Sequence, residues 1–410
     1  MAGDTRGTGP GGAPFGAEAD APIIDADCLV QPGGKVDPDR LREAIESARA
    51  GGGAMPRVQF TLQRDLNEPR LDKYLTSRVT FLSRSQLQTL IDSGGATVGG
   101  APAKRSAKLR RGDVVRLVIP PPPSSEILPQ EIDIEVLFED EHLIVLNKHD
   151  GILVHPGRSE PDGTLINALA WRFAHVSGGA LSGVGREDAR PGVVHRLDRH
   201  TTGCIVFAKT DQAHWKLGAQ FERRTADKRY LAVVHASVEP DTQTIDRPIG
   251  PHPSKVKGFR ERQVVRYDDL GKPSVTVCRV RERYRLHTRS VGDQAFSLVE
   301  LELKTGRTHQ IRVHMADAGW ALVGDDMYGG IAYGDSKGFA FARPALHAAL
   351  LAIEHPMTGE PLVFTASPPD DLLGLVASLR GSGVTEHVDA PGTVPLRRLG
   401  FAGSTPGDAG

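Results

Sequence analysis

Two short stretches of this 410-residue chain concentrate the side chains that can do chemistry. The first runs Gly192-Val193-Val194-His195-Arg196-Leu197-Asp198-Arg199-His200-Thr201-Thr202-Gly203. Its valines suggest a strand ending, followed by a polar turn. An Asp in such a turn ordinarily accepts a hydrogen bond from a nearby backbone amide. Here His195, Arg196, Arg199 and His200 place four potential cations around Asp198. Nearby positive charge favours the ionised form of a carboxylate. An ionised, pre-positioned carboxylate is what a nucleophile or general base requires. The second stretch, Lys304-Thr305-Gly306-Arg307-Thr308-His309-Gln310-Ile311-Arg312-Val313-His314, follows a strand pattern and opens a helix. The plain reading is a helix N-terminus with an exposed polar face. Arg307 and Arg312 fall on different faces if Gln310 is helical, so their roles must divide.

The elements that must position these residues are legible from periodicity. Leu143–Leu146 and Cys204–Ala208 are short apolar runs that read as buried strands, and Tyr230–Val234 is a third. Val299, Leu301 and Leu303 alternate with Glu300 and Glu302, the pattern of a half-buried strand. Ala213, Leu217 and Phe221 mark a helix face between Thr210 and Arg224. Ile311, Met315 and Ala318 mark another, ended by Gly319. Strands and helices mix without regular βαβ spacing, which predicts an α+β domain on a mixed, largely antiparallel central sheet flanked by helices.

Upstream of the prolines at 120–123 the spacing predicts a separate small α/β unit. Leu71, Tyr74 and Leu75 share a helix face. Ser83 opens a second helix with Gln86 as its capping-box partner, Leu82 and Leu87 form a staple, and Gly94-Gly95 ends it. Strands follow at Ala96–Val98 and Val114–Ile119. Between Arg70 and Leu117 ten basic residues face three acidic ones, a local charge of +7. So dense a basic cluster is the electrostatic footprint of a phosphate-binding surface. The whole-chain charge of -1 taken alone argues against a nucleic-acid partner; the local charge reverses that reading.

Residues 1–60 hold 11 Gly and 6 Pro, a composition that reads as flexible, with one helix capped by Asp37 and carrying Leu41, Ile45 and Ala48 on a face that Gly51 stops. The stretch from Gly381 holds 7 Gly and 3 Pro and reads as a flexible tail. The expected organisation is an arm over 1–67, a basic module over 68–120, a Pro-rich linker over 121–130, a large domain over 131–378 and a tail over 379–410. Cys28, Cys204 and Cys278 lie far apart and make neither metal-type spacing nor a disulfide framework. No signal peptide and no apolar run of membrane-spanning length is present in the sequence, so a cytoplasmic protein with no membrane partner is expected.

The two chemical stretches resemble the signatures of the RluA-type family of pseudouridine synthases, His-Arg-Leu-Asp-x-x-Thr-(Ser/Thr)-Gly and Gly-Arg-Thr-His-Gln-Ile-Arg-Val-His. The likeness spans about 240 residues, through Asp140-Glu141 to Lys148, His155-Pro156, Phe221, Lys228, Tyr230, Gly324-Asp325, Tyr328-Gly329, Leu346-His347-Ala348 and His355-Pro356. The basic unit resembles the alpha-L RNA-binding domain of a ribosomal small-subunit protein, through R-L-D-K-Y-L, S-R-S-Q-L-Q-T-L-I-D-S-G and R-G-D-V-V, with Gly99-Gly100 where an Asn is common.

The resemblance implies isomerisation of uridine to pseudouridine within RNA by a monomer, without cofactor or metal. It implies Asp198 as the catalytic carboxylate, Tyr230 as the residue beneath the uracil, and Arg312 as the partner of Asp198. Arg196 would fill the place of the extruded base. Arg307 and His309 would meet phosphates or hold the loop. Arg70, Lys73, Arg84, Lys104, Arg105, Lys108, Arg110 and Arg111 would bind RNA. Large-subunit ribosomal RNA is the expected substrate, with tRNA the other class. His200 stands where an acidic residue is common, and reads as a solvated side chain. Two rival readings are a catalytically silent RNA-binding assembly factor, against which Asp198, Tyr230 and Arg312 speak together, and a hydrolase with His195 as base, which leaves the basic module unexplained.

Overall fold

The computed structural model describes residues 23–31, 35–49, 57–66, 69–82, 84–119, 127–157, 160, 162–186, 189–254, 256, 258–259, 261–288 and 292–401. The chain divides into two compact units, residues 1–124 and 125–410. The prolines at 120–123, and the Ser83 and Gly51 ends expected for two helices, lie outside the described residues.

In the small unit the order is β1 (Ile23–Asp25), α1 (Pro38–Arg49), β2 (Arg57–Thr61), α2 (Leu71–Arg78), α3 (Arg84–Leu90), β3 (Ala96–Val98), β4 (Ala101–Pro102) and β5 (Val114–Val118). The strands form one sheet in the order β1-β2-β5-β3-β4, parallel only between β1 and β2. Gly99 and Gly100 join β3 to β4 at φ of 58° and 86°, a two-residue turn whose left-handed backbone glycine adopts without strain. Leu82 and Leu87, the expected staple, are buried in the same core.

The expected arm over 1–67 needs correction in its described part, residues 23–31, 35–49 and 57–66; residues 1–22 lie outside the described residues. Asp37 caps α1 by accepting from the Asp39 and Arg40 amides (2.9 and 3.2 Å). Leu41 and Ile45 of α1, with Val58, Phe60 and Leu62, then join the core built on Leu71, Leu75, Leu87 and Val115. A Gly/Pro average over 60 residues hid one amphipathic helix and one alternating strand, and their apolar faces hold the stretch in the fold.

The large unit runs β6 (Glu135–Glu139), β7 (Leu143–Lys148), α4 (Leu165–Arg172), β8 (Thr202–Ala208), α5 (Asp211–Arg223), β9 (Asp227–His235), β10 (Thr242–Asp246), β11 (Ile249–Pro251), β12 (Gln263–Val265), β13 (Val275–Thr288), β14 (Gly292–Leu303), α6 (Gln310–Asp317), β15 (Tyr333–Gly334), β16 (Ala340–Phe341), β17 (Leu346–Glu354), β18 (Pro361–Thr365), α7 (Asp370–Ser382) and β19 (Val384–His387). Its main sheet has the order β10-β13-β14-β9-β17-β8-β7-β6, with β18 on β17 and β19 on β13. Only the β17–β8 pairing is parallel, so the expected mixed, largely antiparallel sheet is what forms. The helix expected between Thr210 and Arg224 is α5, with the Thr210 hydroxyl accepting from the Ala213 amide and Arg224 in the left-handed conformation that ends it.

Both faces of this sheet are covered. One carries Phe207, Tyr230, Val299, Leu301, Ile311 and Met315. The other carries Leu231, Val233, Leu298, Leu375, Leu399 and Phe401. The expectation of a half-buried β14 therefore fails for its glutamates. Glu300 is fully buried and accepts from Arg281 (2.7 Å) and the Val394 amide (3.1 Å). Glu302 is buried beside Arg279 (2.9 Å) and Lys304. Alternation in sequence cannot distinguish solvent from a layer of arginines.

The same layer corrects the tail expected over 379–410. Residues 379–401 complete α7, add β19 to the edge of β13, and bury Leu396, Leu399 and Phe401. The spacing of these three apolar side chains anchors the segment despite its glycines.

Candidate active site

An open cleft of about 440 Å³ lies between the turn before β8, the start of β9 and the N-terminus of α6. It brings together Asp198, Tyr230 and Arg312, and also Arg196, Arg307 and His309, all from the two sequence stretches and the β9 tyrosine. Thus the six candidates from the large unit share one site.

Asp198 sits in the turn with its carboxylate 20 % exposed. Its carbonyl accepts from the Thr201 amide (3.1 Å), which closes the turn. The turn is anchored from below by Lys148, whose ammonium donates to the carbonyls of His149 (3.0 Å), Arg199 (2.7 Å) and Thr201 (2.9 Å). Burial pushes the Lys148 amine down to about 7, against the pull of Asp150 and Asp198. Three carbonyl acceptors match the three hydrogens of an ammonium, so the charged form is the one the geometry fits. His347 Nε2 donates to the Ala366 carbonyl (3.0 Å), so its Nδ1 accepts from the Thr202 hydroxyl (2.8 Å), which ties the turn to β17.

The cations of the turn are not those that face Asp198. His195 accepts the Val206 amide on Nε2 (3.0 Å) and stacks on Phe221 with ring centroids 4.4 Å apart. Burial pushes it down to about 3, with Lys228 adding to the effect, so it is a neutral wall of the cleft and no base. Arg199 pairs with Glu160. His200 is exposed, as expected, and also pairs with Asp150 (2.9 Å). The groups that do face Asp198 are Arg312 of α6, with Nη1 at 3.7 Å, and His309 just ahead of that helix, with Nε2 at 4.0 Å.

Arg312 lies beside Asp198, held there by a residue whose part the sequence did not reveal. Its Nε and Nη2 donate to both oxygens of Asp325 (2.7 and 2.8 Å), a fully buried carboxylate. This bidentate fork leaves Nη1 for Asp198. Burial works against the charged guanidinium, and Asp325 and Asp198 together hold it above the ordinary arginine range. Its plane lies over the Tyr328 ring, 5.0 Å from the centroid. His309, expected to meet phosphates or hold the loop, faces the carboxylate and takes a left-handed backbone (φ 56°) just before α6. Gln310, the first residue of α6, is buried and bonds Thr305, Val275, Thr276 and the Arg307 amide, which fixes the Gly306-Arg307 loop.

Tyr230 is buried on β9, opposite Leu301 of β14 and Ala348 of β17. Burial, and then Asp198, raise its phenol above the usual tyrosine value, so at neutral pH it is a hydrogen-bond donor. Arg196 is exposed at the rim, and Arg307 is half-buried with Nε toward the Pro273 carbonyl (3.3 Å).

The basic candidates of the small unit divide into two groups. Arg70 and Arg84 converge on the buried Asp72 (3.0 and 2.7 Å), with Gln88 as its third donor (3.1 Å). Burial alone would raise Asp72; these three bonds carry it well below the usual carboxylate range. Lys104, Arg105, Lys108, Arg110 and Arg111 are exposed on the loop between β4 and β5. Arg105 lies 3.8 Å from Asp92. Lys73 is half-buried on α2. Among the described residues no helix is long and apolar enough to cross a membrane, and no group of three or more His, Cys, Asp and Glu side chains could hold a metal.

Residues 142–317 match the family model of RNA pseudouridylate synthase, and residues 69–115 that of the S4 domain. A Bacillus subtilis protein, uncharacterized RNA pseudouridine synthase YlyB, is 37% identical over 329 residues, covering 80% of this chain and 100% of that one. Ribosomal large subunit pseudouridine synthase D of Zymomonas mobilis is 40% identical over 325 residues, 78% of this chain and 96% of that one. The solved structure of human RNA pseudouridylate synthase domain containing 1 matches 66% of this chain and 94% of its own at 25% identity, with a TM-score of 0.46. Likeness over nearly the full length of the bacterial relatives, with an S4 domain ahead of the catalytic sheet, makes this chain a member of the RluA-type RNA pseudouridine synthases.

Proposed function

We propose that this enzyme forms pseudouridine in large-subunit ribosomal RNA, with Asp198 as its catalytic carboxylate. The observation that carries the catalytic part is the setting of Asp198. It is part-exposed at an open cleft, and Arg312 and His309 point at it, while His195, Arg199 and His200 of its own turn are engaged elsewhere. The name borne by the Zymomonas relative supports the ribosomal substrate.

The reaction exchanges the bond between ribose C1′ and uracil N1 for one between C1′ and C5; C5 loses a proton and the freed N1 gains one. Asp198 acts on the sugar, by attack at C1′ or by taking a ribose proton on the way to a glycal. Either role needs a target nucleotide extruded from its stack, at a cost of a few kcal/mol. Arg196, exposed at the rim, is placed to occupy the vacated position. Tyr230 lies beneath the base, and burial, then Asp198, hold its phenol in the protonated form, so it is available as a hydrogen-bond donor. Arg312, clamped by Asp325, orients the carboxylate.

The test is tritium release from a large-subunit ribosomal RNA transcript labelled at uridine C5. Wild type should release label, and Asp198→Ala should release none while binding the transcript within about two-fold of wild type. Label release by Asp198→Ala would remove the carboxylate from the mechanism. Release confined to tRNA transcripts would redirect the substrate.

A further inference from the structure

One polar group beside the cleft is still without a role. Tyr328 lies in the short turn Asp326–Tyr328 after α6 and does not line the cleft itself. Its hydroxyl accepts from the Gln263 backbone N–H of β12 (2.9 Å) and lies 2.8 Å from Nδ1 of His309. The two rings meet edge-on, with centroids 5.7 Å apart, and the Arg312 guanidinium lies 5.0 Å from the Tyr328 centroid. One side chain therefore touches both residues that face Asp198.

The available hydrogens favour one direction for this contact. A phenol has one hydrogen to donate. The Gln263 amide is a donor and takes one lone pair of the oxygen, which leaves the phenol hydrogen free to point at Nδ1 of His309. Nδ1 of His309 is then an acceptor, and the ring hydrogen of the neutral imidazole sits on Nε2. Nε2 is the nitrogen that faces Asp198 Oδ1 at 4.0 Å. The groups facing His309 are Asp198 from the turn before β8, Arg312 on α6, Asp325 from the following loop, and Arg196 at the rim. Burial first, then Arg312 and Arg196, lower the imidazole below its usual value against the pull of the two carboxylates, so it is neutral at pH 7.

From this geometry we infer that Tyr328 is a positioning residue: its hydroxyl fixes His309 as the Nε2–H tautomer and so keeps a neutral N–H donor aimed at the catalytic carboxylate. The inference rests on the assignment of Asp198 made above. The tautomer matters because the opposite one would turn a lone pair toward a carboxylate and repel it. Tyr328 thus acts through His309 and touches no reacting atom.

Two measurements on the full chain test it. Wild-type enzyme labelled with 15N-histidine should show His309 with its hydrogen on Nε2, the resonance being assigned by its disappearance in His309→Gln; a hydrogen on Nδ1 overturns the inference with no variant to fold. In Tyr328→Phe, which keeps the ring against Arg312, the Nε2–H preference should be lost. The single-turnover rate of tritium release at saturating transcript should fall about ten-fold, the order expected for one buried hydrogen bond, with transcript affinity within about two-fold. The low-pH limb of its rate profile should also move, because His309 loses a partner that kept it in one neutral form. An unchanged rate and profile in Tyr328→Phe, with Asp198→Ala inactive, overturns the inference alone. Activity in Asp198→Ala overturns the reading it rests on.

Discussion

At the scale of single residues, the proposed catalysis turns on one guanidinium with two partners. Arg312 spends two donors on the buried Asp325 and presents a third to Asp198. Lysine cannot reproduce a fork, so Arg312→Lys should reduce the single-turnover rate on the order of 100-fold while leaving RNA affinity intact. Arg312→Ala goes further, because it leaves the fully buried Asp325 without its cation. That should cost about 3–5 kcal/mol in denaturant melts, and pairing it with Asp325→Asn should recover part of the loss. Additive losses in the double variant would show that the two side chains do not act as a pair. Asp325 and Lys148 stood in the sequence only as letters of motifs. Their roles depend on neighbours 13 to 53 positions away, and only folding brings those together.

At the scale of elements, the catalytic turn is held by what surrounds it. Gly203 opens β8 at φ 112°, where a Cβ would overlap the Ala348 backbone of β17. Gly203→Ala should therefore destabilise the fold by about 3 kcal/mol or more, read as a fall in the chemical-denaturation midpoint, since both strain and a backbone clash oppose it. In the small unit the corresponding anchor is Asp72, which joins α2 to α3 through Arg70, Arg84 and Gln88. Its folded-state pKa is depressed, so its stabilisation is present above the ordinary carboxylate pKa of about 4 and is lost as pH falls through the lower folded value. Wild type should accordingly lose stability on acidification below about pH 4 more steeply than Asp72→Asn; parallel pH profiles would contradict the assigned anchor. Two of the arginines expected to bind RNA are thereby structural in part, a division that a list of basic positions cannot express.

For the whole molecule, the net charge of -1 conceals a charge of +7 between Arg70 and Leu117. Replacing Lys104, Lys108, Arg110 and Arg111 with alanine should weaken transcript binding. It should also flatten the dependence of log K on log salt by about 0.7–0.9 for each phosphate no longer neutralised, with the rate at saturating RNA unchanged. An unaltered salt slope would place the RNA elsewhere. Much of this organisation is legible in the sequence. The periodicity of Leu71–Leu75, Ala213–Phe221 and Ile311–Ala318 locates helices, and two motifs locate the cleft. What fails does so for physical reasons. Composition averages hide α1, β2 and the buried Leu396, Leu399 and Phe401, and the Glu300 alternation looks solvated because the arginines that cover it come from other strands. Three of the four potential cations around Asp198 in sequence, His195, Arg199 and His200, serve other partners, since adjacency along a turn does not fix where side chains point. The decisive experiment is base-resolution pseudouridine mapping of ribosomal RNA from a deletion strain carrying either wild type or Asp198→Ala. Wild type should restore the missing large-subunit sites and Asp198→Ala none; restoration by Asp198→Ala would contradict the role assigned to that carboxylate.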